Sequence, residues 1–286
     1  MSSIDFPNLG IHLDPVIRTI RIFSFPVAMY GITMALGILA GLGVASWTAK
    51  KTGQNPDDYT NIALLGILLG LLGARTYYVI FSWDYYSVHP GEILDFRAGG
   101  LALYGSLAGA VAAVLIYCLW KKLSVPLVLD TACLGMVTGQ IIGRFGNFFN
   151  REAFGDYTNN LLAMRLPLSD VRPDEVTQLM REHETVVDGV TFIQVHPTFL
   201  YESLWNTGVL VILMTLTLRR KKRFDGEIFL WYLLLYGIGR FWIESLRTDQ
   251  LHFPGTQIAV SQVLAAVLAC GAAIGIFVLR KKKNNH

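Results

Sequence analysis

Seven stretches of roughly twenty mostly apolar residues dominate this chain, at about 26–48, 60–82, 99–120, 125–145, 197–218, 227–246 and 257–279. A helix needs about that length to cross the hydrocarbon of a bilayer. Composition agrees: 53% of the 286 residues are hydrophobic and 16% are charged, against about 25% charged in a typical soluble domain. The expected class is an all-α membrane protein, a bundle of about seven transmembrane helices.

Charge placement orients the bundle. All nine lysines fall at Lys50, Lys51, Lys121, Lys122, Lys221, Lys222 and Lys281 to Lys283. With Arg219, Arg220, Arg223 and Arg280 they occupy alternate connections and the C-terminal end. The positive-inside rule makes that side cytoplasmic. The expected topology has the N-terminus outside and the C-terminus in the cytoplasm, which requires an odd number of spans. The opening MSSIDFPNLGIHLD has no basic stretch followed by an apolar core, so it does not read as a cleavable signal peptide.

Residues 1–149 should hold an external N-terminal segment and the first four helices, and 197–286 the last three with a basic tail. Between them, 150–196 should form a small extracytoplasmic cap. In this cap SDVRPDEVTQLMREHET reads as an amphipathic helix begun near Pro173. VVDGVTFIQVHP reads as a hairpin turning at Asp188-Gly189. Glycines four apart, as in Gly37/Gly41, Gly105/Gly109 and Gly139/Gly143, suit close helix packing. Cys118, Cys133 and Cys270 all lie in apolar runs and read as small buried hydrophobes, not as a disulfide or metal framework.

The chemistry should sit where charge enters the spans, because ionisable residues there are costly and by default functional. Arg75, Arg144, Glu202, Arg240 and Glu244 all fall toward the external end of their spans. In YGIGRFWIESLR, Tyr236, Arg240, Glu244 and Arg247 share one helical stripe. Residues 143–155, GRFGNFFNREAFG, crowd Arg144, Asn147, Asn150, Arg151 and Glu152 at the end of another apolar run. Arginines outnumber carboxylates at this depth, which suggests a missing anion; in an outer leaflet that anion is a lipid phosphate, which a guanidinium holds through a planar fork.

These stretches resemble the bacterial phosphatidylglycerol–prolipoprotein diacylglyceryl transferases. The family signature G-R-x-G-N-F-x-N-x-E-x-x-G is met by Gly143, Arg144, Gly146, Asn147, Phe148, Asn150, Glu152 and Gly155. HPTFLYE from His196 to Glu202, YGIGRFWIESLR from Tyr236 to Arg247, AMYG with Tyr30 and GARTYYV with Arg75 match in order across most of the chain. Three positions depart. Tyr104 and Ser106 stand where the family often has His and Gly, and Arg151 replaces the usual glycine before the glutamate.

The resemblance implies transfer of the diacylglyceryl group of phosphatidylglycerol to the lipobox cysteine thiol of a prolipoprotein signal peptide. A thioether forms and glycerol phosphate leaves, without metal or organic cofactor. It implies a multi-pass protein of the bacterial cytoplasmic membrane, working toward the extracytoplasmic face, with the bilayer but no nucleic acid as partner. On this reading Arg144 and Arg240 stabilise the departing phosphate, Glu152 and Glu244 orient them, and Tyr104 donates a hydrogen bond. Asn147, Tyr30, Arg75, Tyr236, Arg247, His196 and Gly155 bind substrate. A transporter or channel for an anionic or lipid substrate is the rival class, but its charges should reach the bilayer midplane. A serine protease at Ser106 lacks a partner, since His196 and His252 fall at loop edges. A non-catalytic lipoprotein chaperone is the remaining alternative.

Overall fold

The computed structural model describes residues 3–96, 99–256 and 258–284. The chain divides into two compact units, one of residues 1–41 with 133–286 and one of residues 42–132. Its helices are α1 (Met29–Lys51), α2 (Pro56–Phe81), α3 (Trp83–Tyr86), α4 (Leu103–Lys121), α5 (Val125–Asn150), α6 (Gln178–Glu182), α7 (Thr198–Leu218), α8 (Glu227–Glu244) and α9 (Val260–Asn284). Among the described residues α1, α2, α4, α5, α7 and α9 are long and apolar enough to cross a membrane. The protein is therefore a multi-pass membrane protein. The expected stretch at 227–246 is the 18-residue helix α8, which carries Glu227, Arg240 and Glu244. The first residue of the last expected stretch, Gln257, lies outside the described residues.

Local chemistry sets the helix ends. Asn55 caps α2, its side chain accepting from the Asp57 amide at 3.1 Å, and Pro56 follows at the first helical position. Asp57 and Asp58 lie in that first turn, where the helix dipole favours negative charge. Lys281 to Lys283 close α9 at the opposite pole.

The chain is mostly helical, and beside the helices it carries a five-stranded antiparallel sheet, ordered β2-β1-β5-β7-β6. Its strands are β1 (Ile4–Phe6), β2 (Ile11–Leu13), β5 (Met164–Pro167), β6 (Thr185–Val187) and β7 (Val190–Val195). A separate hairpin pairs β3 (Thr19–Ile22) with β4 (Phe25–Ala28). Three- and four-residue strands offer too little alternation to show in sequence. The β6–β7 hairpin does form as expected, with Asp188 and Gly189 both at positive φ, the conformation a two-residue turn needs. The helix expected near Pro173 is not there. Pro173–Glu175 is a single 3-10 turn, and α6 starts only after Thr177, whose hydroxyl accepts from the Met180 amide at 3.2 Å.

The sheet positions the signature. Ile4, Phe6, Met164, Leu166, Ile193 and Val195 bury one face against Phe148, Phe154 and Phe199. The end of α5 and the start of α7 are thereby held to one apolar core. Within the same unit α1 crosses α5 closely: a Cβ on Gly41 would lie 2.5 Å from the Gly135 carbonyl. In the other unit α2 and α4 meet as tightly, a Cβ on Gly109 falling 2.1 Å from the Leu69 carbonyl. Of the cysteines, Cys118 and Cys133 are buried as expected, whereas Cys270 is exposed on α9.

Candidate active site

Three helices bring the centre together. Arg144 comes from α5, Glu202 from the first turns of α7, and Arg240 and Glu244 from the last turns of α8. Glu202 lies between two arginines, with Arg144 Nη2 at 2.6 Å from Oε1 and Arg240 Nη1 at 3.3 Å from Oε2. Arg240 Nη2 also pairs with Glu244, one helical turn along α8. Both carboxylates are buried, each 3% exposed. Gly239 allows this arrangement: its missing Cβ would lie 2.2 Å from the Trp205 indole nitrogen, so α7 packs directly on α8 beside Arg240.

Glu202 belonged to the expected layer but not to the expected site residues. On one helix the i,i+4 spacing pairs Arg240 with Glu244, and only the fold shows a second carboxylate from α7 serving Arg240 and Arg144 together. Part of the expected arginine surplus is neutralised. Arg144, Arg240 and Arg247 are matched here by Glu202, Glu244 and Asp249. Asp249 takes the Arg247 fork in two bonds, of 2.8 Å from Nε and 2.6 Å from Nη2. Burial alone would raise the Asp249 carboxyl, but the Arg247 bonds and charge hold it below its ordinary value. Arg247 thus spends its planar fork on a carboxylate. Arg144 differs: its side chain is 23% exposed, and it meets Glu202 through a single short contact.

A second cluster continues outward from Arg144. Arg144 Nη1 donates to Asn147 Oδ1 at 3.4 Å, and Asn147 Nδ2 donates to Glu152 Oε1 at 3.1 Å. Asn150 reaches the same oxygen at 3.3 Å, while Arg172 Nη2 meets Glu152 Oε2 at 3.4 Å. Glu152 therefore orients amides and Arg172. It does not contact Arg144 or Arg240, so Glu202 fills the role expected of it. Arg172 left no trace in the sequence, because a loop residue 20 positions from its partner follows no period.

Arg151 explains one departure from the family pattern. Its φ is +56°, a left-handed conformation that glycine adopts without strain and other residues rarely do. Its side chain is fully buried and ties three segments, donating to the carbonyls of Val16 at 2.6 Å and Phe149 at 2.9 Å and pairing with Asp170 at 3.2 Å.

The three motifs cross at Gly155. Its amide donates to the His196 carbonyl at 3.0 Å, and the Asp156 amide donates to Leu246 at 3.1 Å. A Cβ on Gly155 would lie 2.6 Å from the Leu246 carbonyl and 2.8 Å from the His196 Cβ. The His196 ring is 3.1 Å from the Tyr201 hydroxyl, and burial lowers its pKa from the ordinary 6.5. Tyr30 lies against Gly146 on α5, where a Cβ would fall 2.7 Å from the tyrosine ring. Tyr236 stacks on Tyr232, the ring centroids 5.6 Å apart.

Arg75 and Tyr104 belong to the other unit. Arg75 donates to four backbone carbonyls, those of Glu92, Ile93, Gly99 and Gly100, at 2.6, 2.8, 2.7 and 3.2 Å. Its guanidinium also lies 5.2 Å from the Tyr86 ring. These bonds tie the backbone at Glu92, Ile93, Gly99 and Gly100 to α2. Tyr104 is exposed in the first turn of α4, its ring 6.4 Å from that of Tyr77.

The fold and site define a multi-pass helical membrane protein with a buried arginine–carboxylate cluster where three helices meet. Comparison with known proteins narrows the class. The family model for prolipoprotein diacylglyceryl transferase matches residues 16–278. The chain is 40% identical over 265 residues to the phosphatidylglycerol–prolipoprotein diacylglyceryl transferase of Clostridioides difficile (strain 630), covering 92% of this chain and 96% of that protein. It is 38% identical over 262 residues to the Bacillus mycoides (strain KBAB4) protein of the same name, covering 92% and 91%. The chain belongs to the prolipoprotein diacylglyceryl transferase family.

Proposed function

We propose that this protein transfers the diacylglyceryl group of phosphatidylglycerol to the cysteine thiol of a prolipoprotein lipobox, the first step of lipoprotein maturation. The observation that carries this reading is the Glu202 bridge. It holds two guanidiniums side by side, with donors left on Arg144. The thiolate sulfur attacks the glycerol carbon bearing the phosphate, the C–O bond breaks, and glycerol phosphate departs with one more negative charge. Arg144 and Arg240 stabilise that charge as it develops, where preorganised donors contribute most. Tyr30, Asn147 and Tyr236 hold the head group. Gly155, His196 and Arg247 frame the site, as Arg75 frames its loop, and Tyr104 donates to a lipid oxygen.

Glu202 and Glu244 are each already paired with two guanidiniums. Glu152 is only partly buried and is bound by amides and one exposed arginine, which favours it as acceptor of the thiol proton.

The proposed topology has seven spans in the bacterial cytoplasmic membrane, with residues 150–196 and the active site external. Helix α8, 18 residues long, extends about 27 Å at 1.5 Å per residue. Its charges are all matched, Glu227 by Arg280 and Arg240 by Glu244, which supports its crossing. Cysteines placed at positions 51 and 180 should respond oppositely to a membrane-impermeant reagent in intact cells, with only 180 labelled. Incubating the purified protein with phosphatidylglycerol and a lipobox peptide should raise the peptide's mass by one diacylglyceryl group. An unchanged mass under saturating lipid would refute the reaction and leave the transporter reading.

A further inference from the structure

Beside the signature lies an open pocket of about 450 Å³, formed by Arg18, Asn150 to Glu152 and residues 169–173. Its floor is the buried Arg151, which fixes Val16 on one side and Asp170 on the other. Arg18 donates to the Asp170 carbonyl. Arg18 and Arg172 stand exposed at the rim. Arg172, itself exposed, meets the partly buried Glu152 at 3.4 Å and the buried Glu175 at 3.2 Å.

Two features define what this pocket can take. Its walls are mostly charged and polar groups, with Val171 and Pro173 beside them, and its volume suits a small molecule. A diacyl lipid is too large for it. It also joins the arginine cluster by a continuous polar path, from Arg144 to Asn147 to Glu152 to Arg172. Under the proposed reaction one product has no tails: the phosphomonoester with its glycerol hydroxyls. It is released at Arg144, carries the most charge of any species present and must reach water.

We propose that the Arg18–Glu152–Arg172 pocket binds the phosphomonoester leaving group, a glycerol phosphate, on its way out of the arginine cluster. The cations at the rim meet the phosphate, while Asn150 and Glu152 meet the hydroxyls. This role rests on the transfer reaction above, and its test separates the two.

The experiment is calorimetric titration of the purified full-length protein with glycerol phosphate, inorganic phosphate and glycerol. Wild type, Arg172→Ala, Arg172→Lys, Arg18→Ala and Arg144→Ala are compared. Wild type should bind glycerol phosphate more tightly than inorganic phosphate, and glycerol not at all. Arg172→Ala should weaken glycerol phosphate at least ten-fold, Arg18→Ala a few-fold, and Arg172→Lys should recover part of the loss. Wild-type affinity in both Arg172→Ala and Arg18→Ala would overturn the proposal. So would binding that survives Arg172→Ala but vanishes in Arg144→Ala, which places the anion in the cluster itself. Peptide lipidation is scored on the same samples. Lipidation without Arg172-dependent binding would refute the pocket alone. Arg172-dependent binding without lipidation would refute the reaction, and with it the exit role.

Discussion

Arg144 and Arg75 are the same residue on similar helices, yet their neighbours give them different work. Arg75 is 3% exposed and directs its donors at four backbone carbonyls. Its acceptors are neutral, its fork is filled, and what it stabilises is a loop. Arg144 and Arg240 share the carboxylate of Glu202. Their charge is balanced, their orientation is fixed, and donors remain for an incoming phosphate. The identity of the partner, not the depth of the arginine, separates a group that builds the fold from one that can meet a substrate.

The contrast breaks most visibly under truncation. Arg144→Ala and Arg240→Ala should each lower transfer by about 10²–10³-fold, the typical loss on removing one transition-state donor, as read from initial lipidation rates. Each single variant should still fold, because Glu202 keeps the other guanidinium. The double variant strands Glu202 as a buried unpaired carboxylate, and should lose about 3–5 kcal/mol of stability in thermal unfolding. Arg75→Lys should instead act on the loop. An ammonium has three donors and no fork, too few for four carbonyls, so the backbone around Glu92 and Ile93 should become sensitive to limited proteolysis while transfer falls far less than in Arg144→Ala.

His196 tests the frame around the site through pH. Burial lowers its pKa below the ordinary 6.5, so folding favours the neutral ring. The stabilisation is complete above about pH 6.5 and is lost as pH falls toward the folded-state pKa, where the unfolded chain takes up the proton first. Thermal stability should therefore decline on acidification below that point, and His196→Gln should flatten the decline. The smallest effect belongs to Tyr104→Phe. Losing one exposed donor should slow transfer only a few-fold, and Tyr104→His should stay active because an imidazole N–H can donate from the same place. A Phe variant as inactive as Arg240→Ala, with a lost limb in its pH profile, would make Tyr104 the proton carrier.

Six long apolar helices, the β6–β7 turn and the pairing of Arg240 with Glu244 were legible in the sequence because each has a local signature: length, Asp188-Gly189, or i,i+4 spacing. The sheet was not, since β1 and β5 pair across more than 150 residues through a single register, Asp5 with Arg165. Glu202 was visible as a costly charge but not as a bridge, because its partners lie on two other helices. Arg172 and Asp249 were invisible for the same reason, being loop residues defined only by what they touch. Arg151 stood out as a departure from the family pattern, but its buried three-way tie needed the fold.

The central claim is that arginines held by Glu202 carry the transfer chemistry through forked contacts. The most direct test is the initial rate of lipobox-peptide lipidation at saturating phosphatidylglycerol for Arg144→Lys and Arg240→Lys, with folding checked by thermal unfolding. Charge is kept and the fork is lost, so the rate should fall at least ten-fold in both while the unfolding temperature stays close to that of wild type. Near-wild-type rates in both lysine variants would contradict the claim and reduce the cluster to a structural ion pair.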